Sequence, residues 1–188
     1  DGTRLGVNSQ SKVIYPRCFK GDIRKIYAQG EVFLEVAHDK KHPFIVESDD
    51  FKLQVLGTKF NISNYKGGAT NIVLVEGAVE VTDKNEKKAR LNPNDLLNIA
   101  NGTIAYQKQV DVAEYISWVE GIMLLNGNDL SQIIQRLSIY YGISIQCDPI
   151  IGKEKVYGKL DLKDDIDEVI ECIQQTPVSY THLRAHET

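Results

Sequence analysis

The sequence predicts an α+β protein in which an all-β N-terminal domain precedes a small domain made of two β-α-β units. Two observations lead to this fold class. Apolar residues alternate with polar ones in short runs up to about residue 116, and from there the pattern changes to strand, helix, strand, twice over. A chain of 188 residues is long enough for one or two domains.

The first pattern has the period of two that a half-buried strand requires. Phe51, Leu53 and Val55 alternate with Lys52 and Gln54, and the later runs repeat this spacing. Sequences rich in Gly, Asn and Asp separate the runs as turns. The segments that begin at Gly30 and Gly77 resemble each other, which favours stacked short strands in a β-solenoid or a roll. We therefore predict an all-β domain over residues 1–116.

The second pattern contains two apolar helix stripes. Leu130, Ile133, Ile134 and Leu137 have helical spacing after a possible cap at Asn128 or Asp129, and Gly142 ends that helix. The second copy follows Asp164 or Asp165 and ends at Pro177, with its stripe at Ile166, Val169, Ile170 and Ile173. We predict a βαβ-βαβ domain over residues 117–180, whose helices cover a shared sheet. Residues 181–188 follow neither pattern and are expected to be a non-native tail.

Composition excludes several function classes. The net charge of −4 argues against a nucleic-acid partner, and the basic residues at 84–90 fit a solvated hairpin turn. No run of about 20 apolar residues occurs, so no membrane-spanning helix is expected. The three cysteines are expected to be small buried hydrophobes, although a bridge between Cys147 and Cys172 stays open.

No arrangement of residues indicates catalysis. His38 and His42 have the spacing of a helical metal pair, but they flank a predicted loop and lack an acidic third ligand. The serines have no nucleophile-elbow glycines around them. We therefore expect no enzyme activity, no metal and no cofactor.

Several sequence blocks occur in the order typical of one family. They are Asp1-Gly2-Thr3, Gly30–Val36, Val55–Asn61, Leu74–Val81 and Trp118–Gly121. In this order the blocks resemble the periplasmic region of FecR-family anti-sigma factors. Gly6 departs from the pattern, because an aromatic residue is common there in the family.

The resemblance implies a protein-binding regulator. Its C-terminal half would bind the signalling domain of an outer-membrane TonB-dependent receptor, and regulated proteolysis by a periplasmic protease would then free a cytoplasmic sigma factor. The chain would be the periplasmic ectodomain of a single-pass inner-membrane protein. Its membrane helix and its sigma-binding segment would lie outside this sequence, so that the sigma factor is contacted only through that absent segment.

The contact with the receptor has candidate residues in the second domain. The segment from residue 156 to 161 alternates apolar and polar residues around a central glycine, so its edge could accept a partner strand. The tyrosines at the end of the first helix are candidate anchors, since tyrosine is enriched at interface hot spots. The alternative is that these side chains pack in the domain's own core. The candidate partner-binding residues are Tyr140, Tyr141, Val156, Tyr157, Gly158, Lys159, Leu160 and Asp161.

Two other functions compete with the signalling adaptor. Gly77–Val81 and Leu91–Asp95 have strand-turn features of a cupin-like module that binds a carbohydrate or small molecule without catalysis. A purely structural periplasmic domain is the third possibility. The β-α-β pair does not separate the first function from the third.

Overall fold

The computed structural model describes residues 1–174 and the backbone of residues 184–186, and it contains two compact units. The first unit is Asp1–Tyr115 and the second is Ile116–Thr188. The sequence placed the boundary between residues 116 and 117. No helix in the described ranges has the length and apolar character needed to cross a membrane.

Residues 1–115 form one eleven-stranded sheet. The strands pair in the order β11-β10-β7-β6-β3-β4-β5-β8-β9, and β1 and β2 both pair with β3. A short helix, α1, covers Ala113–Ile116. The strands are β1 Arg4–Val7, β2 Lys12–Ile14, β3 Arg24–Glu35, β4 Phe44–Glu47, β5 Phe51–Val55, β6 Lys59–Asn64, β7 Thr70–Glu76, β8 Val79–Asp83, β9 Lys88–Leu91, β10 Asp95–Ala100 and β11 Thr103–Gln109.

Strand β3 joins the two halves of this sheet. Its first half pairs with β2 and β4, and its second half pairs with β1 and β6. Gly30 lies between the halves with a φ of +91°, a conformation that glycine adopts without steric cost. The sequence predicted that a strand begins at Gly30. In the structure, β3 runs through this glycine, from Arg24 to Glu35.

The pairing decides between the two architectures expected for this unit. Every pair in residues 1–115 is antiparallel except β3 with β4. A β-solenoid stacks equivalent strands in parallel from turn to turn, so this pattern is that of a roll. One apolar cluster fills the interior, and its largest fully buried members include Phe44, Phe60, Leu34 and Leu53. The predicted alternation is confirmed in β5, where Phe51, Leu53 and Val55 are buried.

The second unit contains the predicted helices. Its elements in chain order are a 3-10 helix Ser117–Glu120, β12 Ile122–Asp129, α2 Leu130–Tyr141, β13 Ser144–Gln146, a 3-10 helix Ile151–Lys153, β14 Lys155–Asp161, α3 Ile166–Gln174 and β15 Arg184–His186. All four stripe residues of α2 are buried, and so are Val169, Ile170 and Ile173 of α3. Ile166 is half-buried.

The helix ends differ in how closely they follow the prediction. Gly142 ends α2 in the left-handed conformation, with a φ of +70°. Asp165 caps α3, because its Oδ1 accepts the backbone N–H of Asp167 at 3.0 Å. Asp129 occupies the N-cap position of α2 but makes no capping hydrogen bond. Its carboxylate instead pairs with Lys155 Nζ at 2.9 Å.

The strands of the second unit pair between the two predicted copies. β12 pairs antiparallel with β14, and β13 pairs antiparallel with β15, as two separate two-stranded sheets. A single sheet shared by both copies therefore stays a prediction. Pro177 and most of the predicted tail lie outside the described residues, and only its backbone at Arg184–His186 is described, as β15.

The cysteines differ from expectation. Cys18 and Cys172 are exposed and Cys147 is half-buried, and no disulfide forms in the described part of the chain. The prediction that all three are buried hydrophobes is wrong. Burial raises the pKa of the Cys147 thiol, and the nearby carboxylates of Asp148 and Glu154 add to that effect.

Candidate partner-binding site

The predicted docking strand exists as β14 and has one open edge. It pairs with β12 on one side, from Lys155 opposite Asp129 to Asp161 opposite Ile122, and with no other strand in the described residues. Its exposed main chain can therefore accept a partner strand. The predicted site residues Val156–Asp161 all belong to this one element.

The side chains of β14 divide between two faces. Val156 and Leu160 are buried at 6% and 8% exposure, so they belong to the core of the unit and can contribute only main-chain groups to a partner. Tyr157, Lys159 and Asp161 are exposed on the other face. Of the predicted site residues on this strand, these three have side chains that are open to solvent.

Gly158 leaves an unfilled position in β14. Its φ is +139°, a conformation that residues with a side chain rarely adopt, and a Cβ added there would meet no atom within 4 Å. The glycine is therefore required by the backbone and not by crowding. The open space beside it also lets another main chain approach this edge closely.

A bulge in β12 supports the exposed Tyr157. The pairing register shifts between Asn126 and Asn128, and Gly127 between them has a φ of +75°. A Cβ on Gly127 would lie 2.9 Å from the Tyr157 hydroxyl oxygen, so the tyrosine ring end rests on the bare backbone of the bulge. Tyr157 nevertheless keeps 68% exposure. A supported but exposed tyrosine is the side chain on this strand best suited to anchor a partner.

The two tyrosines at the end of α2 are used within the unit. The Tyr141 hydroxyl lies 3.1 Å from the carbonyl oxygen of Leu162 and 3.0 Å from that of Asp164, so its single proton is shared between them. Burial raises the pKa of Tyr141 to about 12, with smaller contributions from Tyr140 and nearby carboxylates. The Tyr140 ring packs edge-on against Tyr141, with centroids 5.2 Å apart. These contacts tie the end of α2 to the turn after β14.

The surface around this turn is acidic. Residues 119–177 contain 10 Asp and Glu against 5 Lys and Arg, which gives a net charge of −5. Asp161 ends β14, and Asp164 and Asp165 lie in the short segment between β14 and α3. Charge of one sign raises the association rate with a basic partner surface, and salt screens the effect.

Two exposed apolar residues in this unit were not predicted from the sequence. Ile150 is 85% exposed just before the second 3-10 helix, and Val119 is 45% exposed in the first. Both lie outside the strand and helix patterns on which the prediction depended. The Asp148-Pro149 pair before Ile150 is a turn signal that could have drawn attention to it.

The blocks that carry the family resemblance have structural roles in the first unit. Glu31 accepts hydrogen bonds from Asn8 Nδ2 at 2.7 Å and from Asn61 Nδ2 at 3.1 Å. The backbone N–H of Glu31 donates to Ser11 Oγ at 2.8 Å. Two blocks that are far apart in sequence, Gly30–Val36 and Val55–Asn61, thus meet with Asn8 around one carboxylate on β3.

A second meeting point forms around Gly57-Thr58. Thr58 is buried, and its hydroxyl donates to the carbonyl oxygen of Ala78 at 3.1 Å. A Cβ on Gly77 would lie 2.9 Å from that hydroxyl oxygen, and one on Gly57 would lie 2.5 Å from His38 Nδ1. These glycines are required because the backbones and side chains approach too closely for any larger residue.

The first residues of the chain are fixed by a buried arginine. Arg24 is 4% exposed, and its Nη1 donates to Asp1 Oδ2 and to the carbonyl oxygen of Ala37, both at 2.9 Å. Its guanidinium also lies over the Phe44 ring, 5.3 Å from the centroid. Burial lowers the pKa of Arg24.

The histidine pair considered in the sequence lies in the loop before β4. His42 Nδ1 is 2.7 Å from Asp39 Oδ2, and this contact is the largest reason that the pKa of Asp39 falls to about 2. Among the residues that the structure describes, no group of three His, Cys, Asp or Glu side chains is placed to hold a metal ion.

Comparison with known proteins gives family and structural matches. The family model described as FecR protein matches residues 1–80, and the model described as FecR, C-terminal matches residues 122–186. The second match thus extends into the segment predicted to be a tail. A search of curated proteins gives no match.

Two crystal structures resemble the whole chain. Each is of a candidate anti-sigma factor from Parabacteroides distasonis, and each is 28% identical in sequence to this chain. One aligns with a TM-score of 0.79 over 100% of this chain and 92% of its own. The other aligns with a TM-score of 0.78 over 100% and 91%. The two family matches, in this order and together with this structural likeness, show that the chain belongs to the FecR family of anti-sigma regulators.

Proposed function

We propose that this chain is the periplasmic part of a transmembrane anti-sigma regulator. Its second unit binds the signalling domain of an outer-membrane TonB-dependent receptor, and the regulator relays the ligand status of that receptor to a cytoplasmic sigma factor. The sigma factor is contacted by a segment of the regulator outside this sequence, and a periplasmic protease acts on the regulator in between. The chain has no catalytic role in this scheme.

One observation supports the place of contact more than any other. β14 is a strand with an open edge in the described residues, and it carries an exposed tyrosine supported from behind by the bulge at Gly127. Addition of a strand at such an edge supplies affinity through main-chain hydrogen bonds and specificity through alternate side chains. Tyr157, Lys159 and Asp161 are the alternate side chains that face outward.

The finer fold prediction belongs to the same proposal. We propose that β12-α2-β13 and β14-α3-β15 are two β-α-β copies of a small signalling domain. The buried stripes of α2 and α3 occupy equivalent positions in the two copies, which supports this interpretation. The family match over residues 122–186 spans both copies.

The cupin-like alternative has less support. The family assignment and the structural likeness both point to a regulator, and neither describes a small-molecule binding protein. A purely structural domain would need no exposed, supported tyrosine beside an open strand edge. The signalling adaptor is therefore the function that we propose.

Calorimetric titration of the full chain against the receptor's signalling domain tests the proposal. We expect saturable binding that Tyr157→Ala weakens about tenfold or more, because truncation of a hot-spot residue costs about 2 kcal/mol. The matched control is Tyr106→Ala in β11, since Tyr106 is also an exposed strand tyrosine at 48% exposure but lies in the first unit. No binding, or equal loss in both variants, would reject the proposed site.

A further inference from the structure

A polar groove lies on the outer face of the first unit, and none of the candidate partner-binding residues lines it. It encloses a cavity of about 550 Å³ over strands β3, β4, β5, β8 and β9. Cavities that bind small ligands have volumes of about 300–1,000 Å³. The groove is therefore large enough to hold a few residues of a linear ligand.

The floor of the groove is a cross-strand row fixed by the pairing register. Tyr27 lies opposite Glu47, Glu47 opposite Lys52, Lys52 opposite Thr82, and Thr82 opposite Lys88. All five residues line the cavity. The row therefore presents hydrogen-bonding side chains from five strands at one level of the sheet.

The main chain of the three central floor strands, β4, β5 and β8, is not available to a ligand. β4 is paired on both sides, by β3 and β5, and β5 and β8 are also each paired on both sides. An extended peptide cannot add to these strands, because their backbone groups already form ladder hydrogen bonds. Over these three strands only side chains can recognise a ligand, which favours a ligand rich in hydroxyl groups over a peptide strand.

The charges of the lining nearly balance. Glu47, Glu80, Asp83 and Glu86 face Lys52, Lys84 and Lys88 around the cavity. The two carboxylate oxygens of Asp83 already accept hydrogen bonds within the protein, from the backbone N–H groups of Asn85, Lys87 and Ile104. Asp83 keeps its negative charge, so four carboxylates face three ammonium groups and the net charge of the lining is only −1. A lining with both signs and so small a net charge favours neither a polyanion nor a polycation. A neutral ligand whose hydroxyls both donate and accept hydrogen bonds fits this lining.

Two side chains of the groove, Lys52 and Tyr27, are placed to bind such a ligand. Lys84 and Lys88 form ion pairs with Asp50 and Glu80 at 2.7 and 2.9 Å, whereas Lys52 at the centre has no ion-pair partner among the described residues. Tyr27 at one end is held by its hydroxyl, which donates to Asp49 Oδ1 at 3.0 Å. A fixed aromatic ring gives the apolar face of a sugar a surface to pack on at low entropic cost.

We propose that this groove binds a neutral oligosaccharide, with Tyr27 as the stacking surface and Lys52 as the central hydrogen-bond donor. This second binding activity lies in the first unit and is separate from the contact proposed for β14. It involves no chemical step. Failure of one proposal leaves the other unaffected, since their residues do not overlap.

Nuclear magnetic resonance titration of the full 15N-labelled chain tests the proposal with defined probes. The neutral probes are cellohexaose and N-acetylchitohexaose, and the charged comparators are hexagalacturonate and the deacetylated chitosan hexamer. We expect a neutral hexamer to shift the amide signals of the groove strands, and Tyr27→Ala and Lys52→Ala to weaken its binding about tenfold, the effect of losing one good contact. Lys66→Ala, in the turn before β7, is the matched control and should bind as the unaltered chain does.

Two results of this titration would contradict the proposal. Absence of saturable shifts up to ~10 mM of both neutral hexamers, well above the ~1 mM dissociation constant of a weak complex, would overturn the proposal. Tighter binding of either charged hexamer would overturn the neutral ligand class. If Tyr27→Ala fails to fold, Lys52→Ala decides the result, because Lys52 is an exposed side chain outside the core.

Discussion

Replacement of Gly30 by alanine should destabilise the first unit strongly. A Cβ at this position would lie 2.6 Å from Ser11 Cα and 2.4 Å from Ser11 Oγ. The same serine oxygen accepts the backbone N–H of Glu31, so any movement of β2 that relieves the overlap also strains this hydrogen bond. Gly30→Ala thus combines backbone strain at a φ of +91° with a steric overlap.

The two costs can be separated with a second glycine. Gly67 has a φ of +83°, but a Cβ there would meet no atom within 4 Å. Gly67→Ala should cost only the backbone strain, about 1–2 kcal/mol. Gly30→Ala should cost this strain plus an overpacking penalty of about 1–3 kcal/mol, and therefore about 2–5 kcal/mol in total.

Urea unfolding, followed by far-ultraviolet circular dichroism, measures the stability of both variants. The signal reports mainly on the first unit, because most of the described strands lie there. The free energy of unfolding is obtained from the midpoint and the slope, and the slope should stay constant. We expect Gly30→Ala to lose about 1–3 kcal/mol more than Gly67→Ala. Equal losses in the two variants would refute the argument that close approach, and not φ alone, requires Gly30.

Three further predictions concern other parts of the chain. Tyr141→Phe removes the hydroxyl contacts with two carbonyl oxygens, so it should lower the stability of the second unit by about 1 kcal/mol while leaving receptor binding unchanged. Unfolding of the second unit is followed by the fluorescence of Trp118, the single tryptophan. Backbone hydrogen bonds, of which the one from Ile104 contributes most, lower the folded-state pKa of Asp83 below its usual value of 3.8. The stability that Asp83 contributes is therefore fully present above pH 3.8, and it is lost as the pH falls through the lower folded-state pKa. Acid titration of Asp83→Asn should show a flatter loss of stability in that range, and an unchanged profile would contradict the assignment. Gly127→Ala should displace Tyr157 and weaken receptor binding in calorimetry without unfolding the chain, and unaltered affinity would argue against the supported tyrosine.

The sequence predicted the elements whose residues repeat with a clear period. Leu130, Ile133, Ile134 and Leu137 are all buried, as the stripe requires, and Gly142 ends the helix as expected. Asp165 caps α3 because its short side chain, just before the helix, places the carboxylate within reach of the first unpaired backbone N–H groups. Such features depend on neighbours in the sequence, so a local pattern is sufficient to find them.

Features that depend on distant partners were not predictable in this way. Tyr141 and Tyr157 look alike as exposed tyrosine candidates in the sequence, but Tyr141 donates to carbonyl oxygens more than 20 positions away, whereas Tyr157 rests on a bulge in β12. The groove over β3, β4, β5, β8 and β9 also has no local signal, because its row of residues exists only once the register is set. The sequence predicted a strand-like segment that begins at Gly30, but it did not predict that β3 pairs in both halves of the sheet.

Residue-resolved amide hydrogen exchange, with and without the receptor's signalling domain, tests the central claim most directly. If a partner strand adds to β14, amides of Lys155–Asp161 that face away from β12 should become protected in the complex. The amides of β9 and β11, the end strands of the sheet in the first unit, should exchange as before. Protection confined to the first unit, or none in β14 at saturating receptor domain, would contradict the account.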